Sequence, residues 1–272
     1  MRAQGFLYNQ SASGTPEFHK GFAQPRALPP PVEGSMTSVR QEPGQTRRLM
    51  KSVIFDLDGT LIDSAPDLRA AANLMLAEHG LAPLDLATVI GFIGNGIPRL
   101  VERCFTHHGA APEDVAGEIA RFKAFYDAEG HSRTVFMPGA EAALLQLADA
   151  GFALGICTNK DGDAARAVLA RLGAEELFAA VVGGDSGLGK KPAAAPLCAA
   201  VERCGGGHAV YVGDSETDAA TAAAAGLPFL LYTEGYRKGP AAAMIHAAAF
   251  RNFAELPGLV AAYSKPAPAS PS

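Results

Sequence analysis

The chain has 272 residues, of which 48% are hydrophobic and 19% charged, and its formal net charge is −5. Residues 1–50 carry six Lys or Arg and three Asp or Glu, which leaves 17 basic and 25 acidic residues, a formal charge of −8, for residues 51–272. That balance argues against a nucleic-acid partner, and the lack of any apolar run of about 18 residues argues against a membrane partner, so a soluble globular protein is predicted.

The two ends of the sequence differ in composition from its middle. Residues 1–50 are rich in Gly, Pro, Ser and Gln and show no sustained periodicity, which predicts a disordered N-terminal tail. Two alternatives stay open for this stretch: an organelle-targeting segment, or a true start at Met36 or Met50. Residues 264–272 are rich in Pro, Ala and Ser and predict a second disordered tail.

The four cysteines, Cys104, Cys157, Cys198 and Cys204, show no Cys-x-x-Cys spacing and stand among apolar residues. This pattern is typical of small core side chains in a reducing compartment, and it predicts a cytoplasmic protein. The histidines form neither a His-x-His nor a His-Glu-x-x-His pattern, so the sequence does not indicate a zinc site.

The first predicted strand is the apolar block Val53-Ile54-Phe55, which suits the interior of a parallel sheet. It continues into Asp56-Leu57-Asp58-Gly59-Thr60, which puts two carboxylates at the carboxyl end of a strand, where open α/β sheets bind ligands. Taken alone, the pattern also describes an acidic turn with the glycine at a tight bend.

Residues 64–134 show helical periodicity. Ser64 is predicted to cap the first helix, with Asp67 three residues later completing a box-like pattern. Apolar residues then recur at helical spacing over residues 97–105 and 115–126, and no convincing strand interrupts them. An all-helical insertion over residues 64–134 is therefore predicted.

From residue 137 onward, strands and helices alternate. Apolar strands are predicted over residues 153–157, around 181–182, over 209–212 and over 229–231, with helical patterns between and after them. This alternation predicts an α/β fold with a doubly wound parallel sheet, built from residues 51–63 and 135–263. The helical insertion would then lie as a cap over the crevice at the carboxyl ends of the strands.

Polar residues stand at four of the predicted strand ends. Each has an ordinary structural explanation on its own: a helix cap at Thr158-Asn159, a solvated charge at Lys191 and a turn at Gly213-Asp214-Ser215. A parallel sheet brings these ends to one edge, however, and a shared site explains them together. The candidate site residues are Asp56, Asp58, Thr158, Asn159, Lys191, Asp214 and Asp218.

The residue types of this site predict phosphoryl chemistry with Mg²⁺. Asp56, Asp58 and Asp214 in one crevice would repel each other unless a cation joined them, and oxygen-only ligands with open water positions suit Mg²⁺. Lys191 and Thr158 would supply a positive charge and a hydrogen-bond donor for phosphoryl oxygens. Because no Ser-His or Cys-His pairing is evident, an aspartate carboxylate is the available nucleophile.

These segments resemble the haloacid dehalogenase superfamily of phosphatases. The resemblance extends from about residue 51 to residue 262 and implies a Rossmann-like core with an inserted helical cap. It rests on four motifs in the order of that family: Asp56-Leu57-Asp58-Gly59-Thr60, Thr158-Asn159, Lys191-Pro192 and Gly213-Asp214-Ser215-Glu216-Thr217-Asp218.

The resemblance also implies a role for each candidate residue. Asp56 would attack phosphorus and form an aspartyl-phosphate, and Asp58 would protonate the leaving oxygen and then activate water. Family members that act as dehalogenases or phosphonatases lack the second aspartate, so Asp58 implies hydrolysis of phosphate monoesters. The implied Mg²⁺ ligands are Asp56, the backbone carbonyl of Asp58 and Asp214, with Asp218 in support. The implied phosphoryl-binding residues are Thr158, Asn159 and Lys191.

Within the superfamily, the sequence is most similar to bacterial phosphoglycolate phosphatases. The similar segments are Ile93-Gly94-Asn95-Gly96, Thr158-Asn159-Lys160, Gly183-Gly184-Asp185, Lys190-Lys191-Pro192 and Gly235-Tyr236. They imply a small-molecule substrate, 2-phosphoglycolate, which is hydrolysed to glycolate and phosphate. Departures at Asp161-Gly162 and Ala193-Ala194-Ala195-Pro196 leave other members open, namely a pyrophosphatase, a sugar-phosphate phosphatase or a phosphoglucomutase-like protein.

The loop Gly94-Asn95-Gly96 precedes a predicted helix near Ile97 in the insertion. Because helix N-termini favour anions, this loop, together with Arg99, is predicted to hold a substrate carboxylate. The alternative is a glycine loop that only connects two helices.

Three other function classes are less consistent with the sequence. Residues 184–190 imitate a nucleotide-binding loop, but Lys191 stands where that loop needs a Ser or Thr hydroxyl for Mg²⁺. A phospho-acceptor signalling domain would lack the helical insertion and the second aspartate, Asp58. A catalytically inactive binding protein would not need every catalytic position to be filled.

Overall fold

The structure is a computed structural model and describes residues 51–263. The tails predicted at residues 1–50 and 264–272 lie outside the described residues. The strands are β1 (Ser52–Phe55), β2 (Ile62–Asp63), β3 (Val135–Phe136), β4 (Ala153–Cys157), β5 (Phe178–Val182), β6 (Ala209–Gly213), β7 (Phe229–Tyr232) and β8 (Ala248–Phe250).

The α-helices fall into two groups along the chain. The first group lies between β2 and β3 and comprises α1 (Ala65–Glu78), α2 (Leu86–Phe92), α3 (Ile97–His107) and α4 (Val115–Ala128). The second group alternates with the later strands and comprises α5 (Ala140–Asp149), α6 (Gly162–Arg171), α7 (Ala194–Arg203), α8 (Glu216–Ala225) and α9 (Leu256–Tyr263). In residues 51–263, no helix has both the length and the apolar character that crossing a membrane requires.

The main sheet has the strand order β5-β4-β1-β6-β7-β8, and all its neighbouring strands pair in parallel. The chain runs outward from β1 to β4 and β5, and then returns to the other side of β1 to form β6, β7 and β8. This reversal makes the carboxyl end of β1 the switch point at which open α/β sheets bind ligands. The prediction of a doubly wound parallel sheet is confirmed.

The central strand β1 is buried on both of its faces. Val53 and Phe55 belong to one apolar cluster, which extends into the helical insertion, and Ile54 belongs to a second cluster on the opposite face. Successive side chains of a strand point to opposite faces, so a strand between two layers must be apolar throughout. The continuous apolar block in the sequence is explained by this position.

Helices α1 to α4 form the predicted helical insertion. The chain enters and leaves it through a short antiparallel ribbon, in which Ile62 pairs with Phe136 and Asp63 pairs with Val135. The ribbon was not predicted because strands of two residues carry no periodicity. The edge strand β8 was not predicted either, since Ala248 and Ala249 give it little β character.

Three local predictions are wrong. Ser64 makes no side-chain hydrogen bond at the start of α1; its hydroxyl donates to Oδ1 of Asp58 at 2.5 Å. Asp67 does not complete a capping box, because its carboxylate accepts hydrogen bonds from the Thr134 hydroxyl at 2.7 Å and from the Arg133 backbone. Cys198 is exposed, whereas the other three cysteines are buried as predicted. Tertiary contacts overrode the local pattern at Ser64 and Asp67.

Candidate active site

Three neighbouring strands place the main polar residues of the site. Asp56 directly follows β1, Thr158 follows β4 and Asp214 follows β6, and the register of the sheet sets these strands side by side. Lys191 comes from the loop between β5 and α7. Because the strands are parallel, these side chains meet at one edge of the sheet, as the sequence predicts.

The Lys191 ammonium lies at the centre of a buried polar cluster. Its Nζ is 2.7 Å from Oδ1 of Asp56 and 2.7 Å from Oδ1 of Asp218, and it donates to the Tyr211 hydroxyl at 3.1 Å. Burial by itself lowers the pKa of this lysine, but the two carboxylates raise it above its ordinary value. Lys191 therefore remains charged beside Asp56.

Asp218 has all of its acceptor positions occupied. Its Oδ1 accepts from Lys191 and from the Tyr211 hydroxyl, each at 2.7 Å, and its Oδ2 accepts from the backbone and hydroxyl of Ser215 at 3.1 and 2.6 Å. A carboxylate offers about four acceptor positions. Burial acts to raise the pKa of Asp218, but Lys191 and these donors outweigh it and lower the pKa. The saturation favours Asp218 as support for Lys191 over direct metal ligation.

Asp214 is held by two donors and two glycines. Its Oδ1 accepts from the Thr60 hydroxyl at 2.7 Å, and its Oδ2 accepts from the Tyr236 backbone at 2.5 Å. A side chain at Gly59, whose φ is +89°, would put its Cβ 2.7 Å from Oδ2, and one at Gly235 would put it at 2.5 Å. Both positions require glycine, and each oxygen of Asp214 keeps acceptor capacity for another partner.

Three buried carboxylates, those of Asp56, Asp214 and Asp218, lie close to a single ammonium, that of Lys191. Oxygens of Asp56, Asp214 and Asp218 lie within 4.8 Å of one another. Burial, against the effect of Lys191, raises the pKa of Asp56 to about 7, and burial with repulsion from its two neighbours raises the pKa of Asp214. A cation between Asp56 and Asp214 would relieve this repulsion, and an all-oxygen donor set fits a hard divalent cation.

Asp58 lies in a different polar environment from Asp56. Its Oδ1 accepts from the Ser64 hydroxyl at 2.5 Å and lies 3.1 Å from Nζ of Lys160. The same ammonium donates to the Tyr126 hydroxyl of α4 at 2.9 Å. Sequence reasoning did not predict a role for Ser64, Lys160 or Tyr126 at the site, since nothing in their spacing associates them with Asp58.

The side-chain amide of Asn159 is engaged by backbone groups. Its Oδ1 accepts from the Lys191 backbone at 2.9 Å, and its Nδ2 donates to the carbonyls of Gly94 and Lys191 at 3.0 and 3.2 Å. Asn159 thus fixes the position of Lys191 in the loop and contacts the insertion. The Thr158 hydroxyl oxygen accepts from the Lys160 backbone at 3.2 Å, which leaves its proton available for a ligand.

Three consecutive residues after Thr158 contact the insertion. Asn159 bonds the Gly94 carbonyl and Lys160 bonds Tyr126, as described above. Asp161 pairs through its Oδ2 with Nζ of Lys123 in α4 at 2.6 Å. The loop that follows β4 therefore carries both a site residue and the contacts that hold the insertion over the site.

A cavity of about 40 Å³ lies between the sheet and the insertion, with room for a few water molecules. The core side of its lining is polar: Asp56, Asp58, Thr158, Asn159, Lys160 and Lys191. The insertion side is apolar apart from its backbone: Leu68, Ile93, Gly94, Gly96, Ile97 and Leu100. A small ligand with a strongly polar end fits this division.

The structure places the predicted loop residues at the crevice, but not Arg99. Gly94 and Gly96 line the cavity, and Asn95 lines the adjoining part of the crevice near Asp214. The Arg99 side chain is 64% exposed and pairs with Glu102. One turn later, Arg103 binds the loop through Oδ1 of Asn95 at 2.8 Å and the carbonyl of Phe92 at 2.6 Å. Helical side chains point toward the helix N-terminus, which lets the later arginine reach the loop.

Several known proteins are similar to this chain in fold and in sequence. The profile of the family described as haloacid dehalogenase-like hydrolase matches residues 53–232. A protein named phosphoglycolate phosphatase from Cereibacter sphaeroides is 48% identical over 213 residues, 78% of this chain and 98% of that protein. A protein of the same name from Rhodobacter capsulatus is 43% identical over 215 residues, which are 77% of this chain and 96% of that protein. The crystal structure of a predicted phosphoglycolate phosphatase from Haemophilus somnus matches with a TM-score of 0.73 at 28% identity. The match covers 79% of this chain and 99% of that chain.

Proposed function

The chain belongs to the haloacid dehalogenase-like hydrolases, and on that basis we propose that it is a Mg²⁺-dependent phosphatase that hydrolyses 2-phosphoglycolate to glycolate and phosphate. The observation that carries the proposal is the 2.7 Å contact between Nζ of Lys191 and Oδ1 of Asp56. It places a fixed positive charge beside a carboxylate at the switch point of the sheet. Such a pair suits the attack of an anionic nucleophile on an anionic phosphoryl group.

Asp56 is the proposed nucleophile. One of its oxygens attacks phosphorus, the bond from phosphorus to the bridging oxygen breaks, and the phosphoryl group is transferred to the carboxylate as an aspartyl-phosphate. Lys191 and the Thr158 hydroxyl would bind the phosphoryl oxygens as charge shifts toward them. Asp218 would keep the Lys191 ammonium in place through the 2.7 Å contact between them.

Asp58 is the proposed general acid and base. Its carboxyl gives a proton to the bridging oxygen as glycolate leaves, and it then takes a proton from the water that attacks the aspartyl-phosphate. The second step releases phosphate and regenerates Asp56. The Ser64 hydroxyl, 2.5 Å from Oδ1 of Asp58, orients this carboxyl.

Asp56 and Asp214 would hold Mg²⁺, with the Asp58 backbone carbonyl as a further ligand and Asp218 as indirect support. When bound, the ion neutralises charge on the transferring phosphoryl group. The proposal is supported by the all-oxygen donor set and by the repulsion among the buried carboxylates described above.

One observation favours phosphoglycolate over other phosphate esters: the relatives at 43% and 48% identity carry that name. Pyrophosphate, sugar phosphates and a phosphoglucomutase-like reaction are the alternatives that the same machinery could serve.

A substrate profile tests the proposal. The purified enzyme with Mg²⁺ is assayed for phosphate release from phosphoglycolate, pyrophosphate, hexose phosphates and nucleoside monophosphates, and kcat/KM is compared. We expect phosphoglycolate to lead by at least about tenfold, and we expect EDTA or Asp56→Asn to abolish turnover of every substrate. A flat profile would reject the substrate while keeping the mechanism, and an active Asp56→Asn variant would reject the mechanism.

A further inference from the structure

Lys160 is a second buried ammonium at the wall of the cavity. Its side chain is 4% exposed, and its Nζ contacts Oδ1 of Asp58 at 3.1 Å and the Tyr126 hydroxyl at 2.9 Å. The Nζ also lies 4.8 Å from the centroid of the Tyr126 ring, a cation–π distance. Burial by itself lowers the pKa of Lys160, but Asp58 and Tyr126 more than offset it, so the pKa lies above its ordinary value.

The transfer of the phosphoryl group accounts for Lys191 but not for Lys160. Lys191 contacts Asp56, the proposed nucleophile. Lys160 contacts Asp58, the proposed proton donor to the bridging oxygen. Whatever part of the substrate continues beyond that oxygen must therefore pass close to the Lys160 ammonium.

The other side chains on that part of the wall are apolar. Leu68, Ile93, Ile97 and Leu100 come from the insertion and line the cavity with Lys160. They offer no hydrogen bond to a charged leaving group, and burying a carboxylate without a partner is strongly unfavourable. An anion that binds here needs the ammonium.

We propose that Lys160 binds the substrate carboxylate and so selects phosphoglycolate among small phosphate esters, an inference that rests on the proposed function. In phosphoglycolate the carboxylate is one methylene away from the bridging oxygen. An ammonium in contact with Asp58 is within reach of that carboxylate when Asp58 faces the oxygen. The carboxylate takes over the ionic contact with Lys160, and the Asp58 carboxyl becomes free to turn to the leaving group.

Tyr126 is the positioning residue in this arrangement. It belongs to α4 of the insertion, and its hydroxyl and ring both contact the Lys160 ammonium. The carboxylate contact therefore forms only when the insertion lies over the site.

The test compares two substrates that differ only in the carboxylate. Ethyl phosphate has a methyl group where phosphoglycolate has the carboxylate. The ratio of kcat/KM for phosphoglycolate to kcat/KM for ethyl phosphate is measured for the wild type, for Lys160→Met and for the exposed control Lys51→Met. We expect Lys160→Met to lower the ratio about 10- to 100-fold, the effect of losing a charge-assisted hydrogen bond, and the control to leave the ratio unchanged.

Two milder variants keep the test valid if Lys160→Met folds poorly. Lys160→Arg retains the charge and is expected to keep the ratio within about tenfold of the wild type. Tyr126→Phe retains the ring and loses only the hydroxyl, so a smaller fall in the ratio, about 3- to 10-fold, is expected. The Kd of phosphoglycolate can also be measured by calorimetry for the Asp56→Asn variant and for the double variant Asp56→Asn, Lys160→Met. This gives the contribution of Lys160 to binding without turnover.

The outcomes separate this inference from the proposed function. Equal losses on both substrates in Lys160→Met would overturn the inference and leave Lys160 as a residue that only orients Asp58. A wild type that prefers phosphoglycolate, with a Lys160→Met variant that keeps the preference, would overturn the inference alone. A wild type that hydrolyses both esters equally well would overturn phosphoglycolate as the proposed substrate, and the inference with it.

Discussion

Lys191 and Asp218 form a buried ion pair in which Nζ and Oδ1 are 2.7 Å apart, and the same ammonium lies 2.7 Å from Asp56. Asp218 therefore sets the position of the charge that faces the proposed nucleophile. The ordering of Asp218 depends in turn on Ser215, which is the N-cap residue of helix α8 and forms a capping box with Asp218. A helix start is thus connected to the reaction centre through a single carboxylate.

The variant Asp218→Asn tests that connection. Losing one partner of a buried ion pair costs up to about 3–5 kcal/mol, and the Lys191 ammonium would then be held by Asp56 and Tyr211 alone. We expect a clear loss of stability in urea titrations and a fall in kcat of about 100-fold. Ser215→Ala, which removes one hydrogen bond to Asp218 but keeps its charge, should cost about 1 kcal/mol and much less activity. An Asp218→Asn enzyme with near-normal kcat would contradict the connection.

The variant Asp58→Asn should separate binding from turnover. The side chain keeps its shape but can no longer exchange the proton, so kcat should fall about 10²- to 10⁴-fold. The Asp58 backbone carbonyl is unchanged, so Mg²⁺ affinity, measured by calorimetry, should change by less than about threefold. Substantial turnover of Asp58→Asn would mean that another group moves the proton.

The metal-free enzyme should become less stable as the pH rises from about 4 to about 7. Burial raises the pKa of Asp56 from 3.8 to about 7, so in this window the folded state binds more protons than the unfolded state. Stability then falls with increasing pH. Asp56→Asn lacks this titration, and in EDTA it should gain stability relative to the wild type between pH 4.5 and 7.5.

Thermal unfolding in EDTA at several pH values provides that measurement. Asp149→Asn, at an exposed position, is the matched control and should follow the wild type. Adding Mg²⁺ should restore the most stability to the wild type at the upper end of the range. Parallel curves for the wild type and Asp56→Asn would contradict the prediction.

A matched pair of arginines on α3 tests the loop over the crevice. Arg103 binds the Phe92 carbonyl and Asn95, whereas Arg99 is exposed and pairs with Glu102. We expect Arg103→Met to loosen the loop and raise KM for phosphoglycolate about 3- to 30-fold, the range for one or two charge-assisted hydrogen bonds. Arg99→Met should change KM by less than about twofold. The reverse order would restore the sequence-based prediction for Arg99.

The strand ends could be predicted because apolar blocks define where each strand stops. Asp56, Thr158 and Asp214 each follow such a block directly, and a parallel sheet brings them to one edge. The short ribbon of β2 and β3 could not be predicted in this way, since its pairing joins residues from the two ends of the insertion.

The partners of Asp58 could not be predicted from spacing. Lys160 is 102 positions from Asp58 in the sequence, and Tyr126 is 34 positions from Lys160. No periodicity connects these residues. The local sequence allowed Ser64 to cap the helix, but its hydroxyl donates its hydrogen bond to the Asp58 carboxylate instead. The local sequence allows a side chain several hydrogen-bond partners, and the tertiary contacts determine which partner it binds.

The run of contacts made by Asn159, Lys160 and Asp161 has a consequence for product release. The three residues join Gly94, Tyr126 and Lys123 to the same loop that carries Thr158. If the insertion swings away about its ribbon, all three contacts break and the loop loses its support at the same moment. We therefore expect the loop that carries Thr158 to be less ordered in an open enzyme, so that phosphate leaves from a looser site than the one in which it is formed.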